Sequence, residues 1–502
     1  MTKQESLEAS DAVDLADSKV EANIATLAAE PDQEVDEQTS KRIGRMLDKH
    51  LMPLICFTYI LQSLDKGSLG YGAIWGLRTD LRLTADEYSW LGSLFYFGYM
   101  IWEYPMGYVA QHYHTGKVVA SVVIIWGACL MSTALCTNFA GIAAQRFFLG
   151  CLESVLTPAF VLITSIFWLK KEQGFRVSIW WSMNGFAGAF GGLISFSTGY
   201  IQYKNIPSWK WIFIINGTVT ILWGITLWFL FPSSPQTARF LKGSDKDAAV
   251  YRLKSNKTGT RNAIVKKYQI IEALDPRKDP QGILLFFICF FNEFTNGGYG
   301  NFSSLIIASL GFTSLESSLL GIATGMAQVL WMWSAGYATY RWKNMRIYAA
   351  MGALVPSFIG FVLQIAVPVG SSSTIKGIKM MGVCMMPAYA ATCALTVQLP
   401  AQNAGGYTKR TTLTSLAFLG YSVGNICGPH VFYPGQTPTY LTGFVADLVC
   451  FAFQWSLLYT LRVVYKRENA RRDREFGIPV EEDGDAFTDL TDRENMSFRY
   501  AL

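Results

Sequence analysis

Val118–Thr137 reads VVASVVIIWGACLMSTALCT, and it is followed at once by Phe139–Phe167, FAGIAAQRFFLGCLESVLTPAFVLITSIF. The first stretch holds no charge, and the second holds only Arg146 and Glu153. About 20 apolar residues cross a bilayer as one helix. Both stretches therefore read as membrane spans, and the rest of the chain follows the same pattern. Of its 502 residues, 51% are hydrophobic and 16% charged, whereas a soluble domain carries about 25% charged residues. The charges gather in the two tails, a middle segment and short connectors. An all-α integral membrane protein is the fold class this composition predicts.

Working outward, the spans are expected at 51–76, 89–109, 118–137, 139–167, 176–200 and 211–231, then at 282–307, 315–338, 347–369, 375–399, 411–427 and 440–464. The domains are then a disordered cytosolic tail over 1–50 and a six-helix bundle over 51–231. A cytosolic linker over 232–280, a second six-helix bundle over 281–464 and a cytosolic tail over 465–502 complete the chain. Residues before about 40 are rich in Glu, Asp, Ser and Ala and poor in aromatics, as in disordered segments. They have no early apolar core, so no signal peptide is expected. Lys41, Arg42, Arg45 and Lys49 flank the first span, and Lys117, Lys170, Lys171, Arg176, Arg341, Lys343, Arg346, Lys409 and Arg410 sit in alternate connectors. Positive charge favours the cytosolic side, so both termini are expected there. Lys204, Lys210, Lys376 and Lys379 are the main exceptions in outside connectors. Two equal apolar halves around one linker predict twelve helices in two bundles of inverted three-helix repeats, with the site between the bundles.

The nine cysteines lie in apolar segments without zinc-like spacing, so packing roles and no metal are expected. Only four histidines occur, and no HExxH, GxSxG or P-loop pattern appears. An enzyme and a nucleic-acid partner are not indicated.

Charges inside spans are costly, and each needs a partner or a function. Asp65, Lys66, Glu103, Arg146, Glu153 and Glu293 fall there. Arg146 and Glu153 are seven residues apart, hence about 10 Å along one helix face and too far for a direct pair. Glu153 is a candidate proton carrier. Arg146 either binds a substrate anion, sets the protonation of Glu153, or braces Asp65. Asp65 and Lys66 point about 100° apart; either Lys66 attracts an anion or the two neutralise each other. Glu293 lies between Asn292 and Asn296, followed by Gly297, Gly298 and Gly300, where unwinding is expected to expose backbone. The alternative is that these glycines permit close packing. Gly188 and Gly192, and Gly420, Gly424 and Gly428, form small-residue stripes expected at rocking or packed surfaces. Asn184, Tyr421 and Asn425 are further cavity candidates. Phe95, Tyr96, Phe97 and Tyr99 read as lipid-facing or packing residues.

Several motifs together resemble the major facilitator superfamily. These are the connector GYVAQHYHTGK over 107–117, with Gln111 and His112 where the family usually has Asp and Arg, and the RxxxGxxE pattern of Arg146, Gly150 and Glu153. Leu64-Asp65-Lys66, Glu103-Tyr104-Pro105, PSSPQTARFL over 232–241, Thr408-Lys409-Arg410 and GNICGP over 424–429 are similar to the anion:cation symporters of the fungal allantoate permease group. The resemblance covers about residues 45–465 and implies the major facilitator fold. It further implies uptake of a small organic anion with protons by alternating access, at the plasma membrane. Substrates of the group include allantoate, ureidosuccinate, nicotinate and pantothenate. The resemblance places substrate contacts at Lys66 and Arg146, to which the residue reading adds Asn292, Asn296 and Asn425. Proton coupling falls to Glu153, Glu293 or Asp65. Cofactors other than the coupling proton are not expected, and the carrier is expected to be monomeric. An exporter or exchanger of the same fold, or a non-transporting nutrient receptor, are the alternatives.

Overall fold

The computed structural model describes residues 36–201, 206–254, 266–342, 344–368, 370, 372–432, 436–477 and 490–502. It opens with α1 (Glu37–His50), an amphipathic helix that buries Ile43, Gly44 and Leu47. The tail expected to be disordered through residue 50 is therefore helical from residue 37; residues 1–35 lie outside the described residues. Six spanning units follow: α2 (Met52–Ile74), α3 (Ala85–His112), α4 (Thr115–Ser132), the pair α5 (Phe139–Glu153) and α6 (Leu156–Phe167), α7 (Lys170–Thr198) and α8 (Ser208–Leu230). The linker contains α9 (Ser244–Lys254) and α10 (Lys267–Leu274). The second half comprises α11 (Gln281–Ser309), α12 (Ser314–Arg341), α13 (Arg346–Ala366), the pair α14 (Ser373–Met385) and α15 (Tyr389–Thr396), α16 (Tyr407–Cys427) and α17 (Leu441–Phe476). Helix α17 runs past the expected end at 464 because its polar extension pairs with itself: Glu468 binds Arg471 at 2.7 Å and Arg472 at 2.9 Å.

Among the described residues, six units are long and apolar enough on their own to cross a membrane: Thr115–Leu135, Phe139–Phe167, Ser208–Leu230, Arg346–Ala366, Ser373–Thr396 and Leu441–Phe476. The other six are α2, α3, α7, α11, α12 and α16. These make the contact between halves as the pairs α2–α11, α3–α16 and α7–α12; they carry Asp65, Lys66, Glu103 and Glu293, while Arg146 and Glu153 sit in the apolar unit α5/α6. Charged and polar residues at the seam lower the apolar signal of these units.

Local geometry repeats between the halves where sequence identity does not. Helix α3 begins Arg82-Leu83-Thr84, with Arg82 at φ 53° and a Thr84–Glu87 capping box. Helix α12 begins Gly311-Phe312-Thr313, with Gly311 at φ 83° and a Thr313–Glu316 capping box. Each box satisfies orphan helix-end donors reciprocally. The units at equivalent places in the two halves, α5/α6 and α14/α15, are both broken, the second across Met386-Pro387-Ala388.

Glycines set the helix spacing. Added Cβ atoms at Gly420, Gly424 and Gly428 would strike the Phe286, Phe290 and Phe294 carbonyls of α11. One at Gly297 would meet the Asn425 carbonyl at 2.5 Å. Helix α11 is continuous through Gly297, Gly298 and Gly300, so the expected unwinding does not occur; Gly297 and Gly298 let α16 and the turn after it lie against α11. Gly192, by contrast, sits across the halves against Ser318 of α12, where a smooth contact permits rocking.

Among the described residues the shorter inter-half hydrogen bonds lie away from the termini; a longer one, from the Trp333 indole of α12 to Ser182 Oγ of α7 at 3.4 Å, lies nearer the terminal face. Tyr88 Oη donates to the Asn301 carbonyl at 3.0 Å, Ser93 Oγ to the Ile426 carbonyl at 2.6 Å, and the Ser195 and Ser318 hydroxyls are 2.9 Å apart. Toward the face carrying the termini, Tyr104 of α3 and Tyr340 of α12 are each 85% exposed. The halves are therefore sealed at the far face and part toward the terminal face.

That terminal face is braced by charge. Asp48 accepts from Arg176 at 2.7 and 2.8 Å and from the Trp168 indole at 2.9 Å, while Arg252 of α9 reaches Glu172 at 2.5 Å. In the second half, fully buried Lys409 lies 2.8 Å from Glu272, 2.6 Å from Asp279 and 2.7 Å from Asp492. The last residues, 490–502, fold back to supply Asp492 and bond the Asn403 side chain to Ala501. Lys379, expected in a connector, is instead inside α14, 3% exposed, with Nζ donating to the Gln364 carbonyl at 3.1 Å.

A candidate carrier site between the halves

Asp65 and Lys66 of α2 face different ways, as adjacent helical residues must. Asp65 is fully buried and neither carboxylate oxygen has a hydrogen-bond partner among the described residues. Lys66 does not neutralise Asp65. Its ammonium lies 3.9 Å from Glu153 Oε2 and over the rings of Phe95 and Tyr99, at 5.5 and 5.8 Å from their centroids. The Lys66 side chain keeps 28% of its surface exposed, whereas that of Glu153 has none. The position of Glu153 follows from the chain: it ends α5 at the break before Leu156. Gly150, one turn earlier, lets the α3 backbone at Phe95 come into contact. Among the described residues neither Glu153 oxygen has a hydrogen bond, and Lys66 is the cation in ion-pair contact with this carboxylate.

Phe95, Tyr96 and Tyr99 are therefore not lipid-facing. They are 3%, 6% and 3% exposed; Phe95 and Tyr99 wall the Lys66 ammonium, and Tyr96 and Tyr99 face Tyr421 of α16 across the seam at 6.2 and 6.5 Å. Their spacing of one, three and four residues, which puts them on one helical face one turn apart, was the available signal. Ser63, one turn before Lys66, donates to the Asn184 side chain of α7.

The second half presents a directional chain of hydrogen bonds. Tyr389 Oη donates to Asn296 Oδ1 at 3.2 Å. Asn296 Nδ2 donates to Asn425 Oδ1 at 2.8 Å, and Asn425 Nδ2 donates to Glu293 Oε2 at 2.8 Å. Glu293, Asn296 and Asn425 are thus brought together as one group. The Glu293 charge acts on Lys66 across the seam, beside those of Glu153 and Asp65. Asn292 stands apart: fully buried, it donates to the Tyr389 carbonyl at 3.2 Å and ties α11 to α15. Arg146 is 3% exposed with Nε unpartnered, and among the described residues it makes no ion pair with Asp65; its charge acts on Glu153 and Asp65 from a distance. Glu103, one turn beyond Tyr99 toward the terminal-face end of α3, is half-buried, and its charge acts on Tyr99.

One buried carboxylate escaped the sequence reading. Asp447 of α17 is fully buried, with both oxygens unpartnered, beside the equally unpartnered Thr295 hydroxyl of α11. It was findable, since an Asp in the apolar run 441–453 obeys the same cost rule as Asp65.

One cation shared between a carboxylate and open space, facing an amide–carboxylate relay on the opposite half, is an arrangement that can exchange a bound anion for a fixed one. It contains no nucleophile–base pair. Residues 55–429 match the family model described as Major Facilitator Superfamily. The allantoate permease of Saccharomyces cerevisiae is 35% identical over 489 residues, covering 93% of this chain and 88% of that protein. An uncharacterized transporter of Schizosaccharomyces pombe is 34% identical over 473 residues, covering 93% and 87%. Among solved structures, a bacterial homolog of the human lysosomal transporter Spinster, inward-facing and unoccupied, superposes with TM-score 0.58 at 16% identity, covering 86% of this chain and 99% of that one.

Proposed function

The chain belongs to the major facilitator superfamily, a family of membrane carriers, and from that premise we propose that it takes up a small organic anion together with protons by alternating access. The observation that carries this reading is the Lys66–Glu153 contact of 3.9 Å at the seam between halves. One ammonium serves either Glu153 or a substrate carboxylate. When the substrate takes Lys66, Glu153 is left buried with only the more distant Arg146 charge to answer it, a state that costs several kcal/mol unless it gains a proton. Anion and proton therefore bind together. Glu293, whose donor is Asn425 on the opposite wall, is the second group for a proton. A monoanion with one proton is electroneutral; with two, one positive charge moves inward and gains about 2.3 kcal/mol per 100 mV.

The similarity to allantoate permease and the cationic, aromatic-walled site support a ureido or vitamin carboxylate as substrate, such as allantoate, ureidosuccinate, nicotinate or pantothenate. The basic connectors support cytosolic termini, and with them the conformation described here is the one open to the cytosol. The plasma membrane and a monomeric carrier complete the reading. Labelled uptake in yeast lacking its related permeases, at acidic pH, tests it. Saturable uptake of one anion, abolished by a protonophore, is expected. Surface-expressed protein that accumulates none of these anions, or does so regardless of the protonophore, contradicts it.

A further inference from the structure

At the far face, the seal between α3 and α16 includes one imidazole. His430 lies in the short turn Gly428–Val431 that follows α16. Its Nε2 is 3.0 Å from Ser93 Oγ of α3, and its ring meets that of Trp90 edge-on at 4.8 Å between centroids. Ser93 is fully buried and has one hydroxyl proton, which its 2.6 Å contact assigns to the Ile426 carbonyl. Ser93 Oγ therefore accepts from His430 Nε2–H, and Nδ1 is the nitrogen left for a second proton. Three side chains and one carbonyl thus join the two halves at this point, and one of them titrates near neutrality.

The chain has four histidines, and the other three, His50, His112 and His114, belong to the terminal face. The charged group that acts on His430 is Asp86 of α3; Trp90, Ser93 and the Ile426 carbonyl are its uncharged neighbours. Carboxylates ordinarily titrate well below the range from pH 5 to 7, so within that range His430 is the far-face group whose charge changes.

We propose that His430 is a proton-released latch, holding the α3–α16 seam shut while neutral and loosening it when the far compartment turns acidic. The inference rests on the alternating-access reading and adds to it a proton site separate from the central carboxylates. Its direction follows from the packing. In the sealed state burial pulls the His430 pKa below its ordinary value, with Asp86 opposing; in an opened state the ring meets water and regains that value. The sealed state is thus fully favoured above the open-state pKa and loses ground as pH falls through it. For a carrier of protons the sense is productive, because acid outside would turn the empty site outward.

Hydrogen–deuterium exchange of the purified protein in nanodiscs, at about pH 7.5 and about pH 5.5 and corrected for intrinsic rates, tests this without substrate. Segments 84–93 and 424–431 should exchange faster in acid in the wild type, and the difference should vanish in His430→Gln, which retains a donor for Ser93. Ser93→Ala should speed exchange at both pH values and keep the difference. A wild type with no acid-induced change in these segments, or a His430→Gln protein that retains it, overturns the proposal. Failure of anion uptake leaves this measurement intact, so the two readings fail separately.

Discussion

Removing the Lys409 ammonium should be the most damaging single change at the terminal face. One ammonium meets three carboxylates there, so the cluster carries +1 − 3 = −2, and its acidic oxygens lie within 4.8 Å of one another. Lys409 and Asp492 have no exposed side-chain surface and Asp279 has 5%. Removing one partner of a buried pair costs about 3–5 kcal/mol. In Lys409→Met three partners lose their counter-ion at once, so the upper end of that range is expected. Asp492→Asn leaves Lys409 two carboxylates and relieves some like-charge repulsion, so about 1.5–3 kcal/mol, the value of a hydrogen bond to a charged group, bounds its cost from above. Lys376, whose exposed Nζ donates to the Gly311 carbonyl at 2.7 Å, is the control; Lys376→Met should be near neutral. Thermal unfolding of purified protein, followed by intrinsic fluorescence, should rank Lys409→Met well below Asp492→Asn, and Asp492→Asn below Lys376→Met. A Lys409→Met protein that melts with the wild type would refute the view that residues 490–502 are pinned through this ammonium.

Gly150→Ala and Gly428→Ala force a Cβ onto the Phe95 and Phe294 carbonyls, whereas one at Gly336 meets nothing within 4 Å. Overpacking costs about 1–3 kcal/mol, so the first two should lower melting temperature and surface expression while Gly336→Ala matches the wild type. The Arg471 hydrogen bond, and then Arg472, hold Glu468 at a pKa of about 2. A depressed carboxylate contributes stability above its unfolded pKa, about 4.3, that is lost as pH falls towards the folded value. Exchange protection at this junction of α17 and the tail should therefore be flat from neutral pH to about 4.5 and decline below it. Asn425→Ala deprives Glu293 of its 2.8 Å donor; a loss of about 1.5–3 kcal/mol, roughly 10–150-fold, is expected in proton-driven uptake, with Asn425→Gln tested alongside.

Much of this architecture is legible in the sequence because lipid imposes it. The uncharged run 118–137 becomes α4, and 347–369 becomes α13, each shifted by only a few residues. The units that face protein are harder to read, since glycine, asparagine and charge dilute their apolar signal, yet the charges themselves mark them. Helix α1 looks like tail because it is polar overall; Ile43, Met46 and Leu47 at helical spacing betray its buried face. For the site, residue types were readable and partners were not. Nothing in the string Leu64-Asp65-Lys66 says that Lys66 rather than Asp65 reaches Glu153, because that depends on the rotation of α2 against α5. Nor does sequence tell that Asn296 joins Asn425 and Glu293 while Asn292, one turn away, serves the Tyr389 backbone. Facing is fixed by glycine contacts distant in sequence, such as Gly424 against Phe290.

The central claim is that Lys66 alternates between Glu153 and a substrate carboxylate, and reconstituted protein tests it with the anion identified by uptake. In proteoliposomes, wild type should accumulate that anion when an inward proton gradient is imposed. Glu153→Gln should still exchange internal for external anion, since Lys66 remains, but should lose accumulation driven by the gradient. Gradient-driven accumulation at the wild-type level in Glu153→Gln would contradict the account.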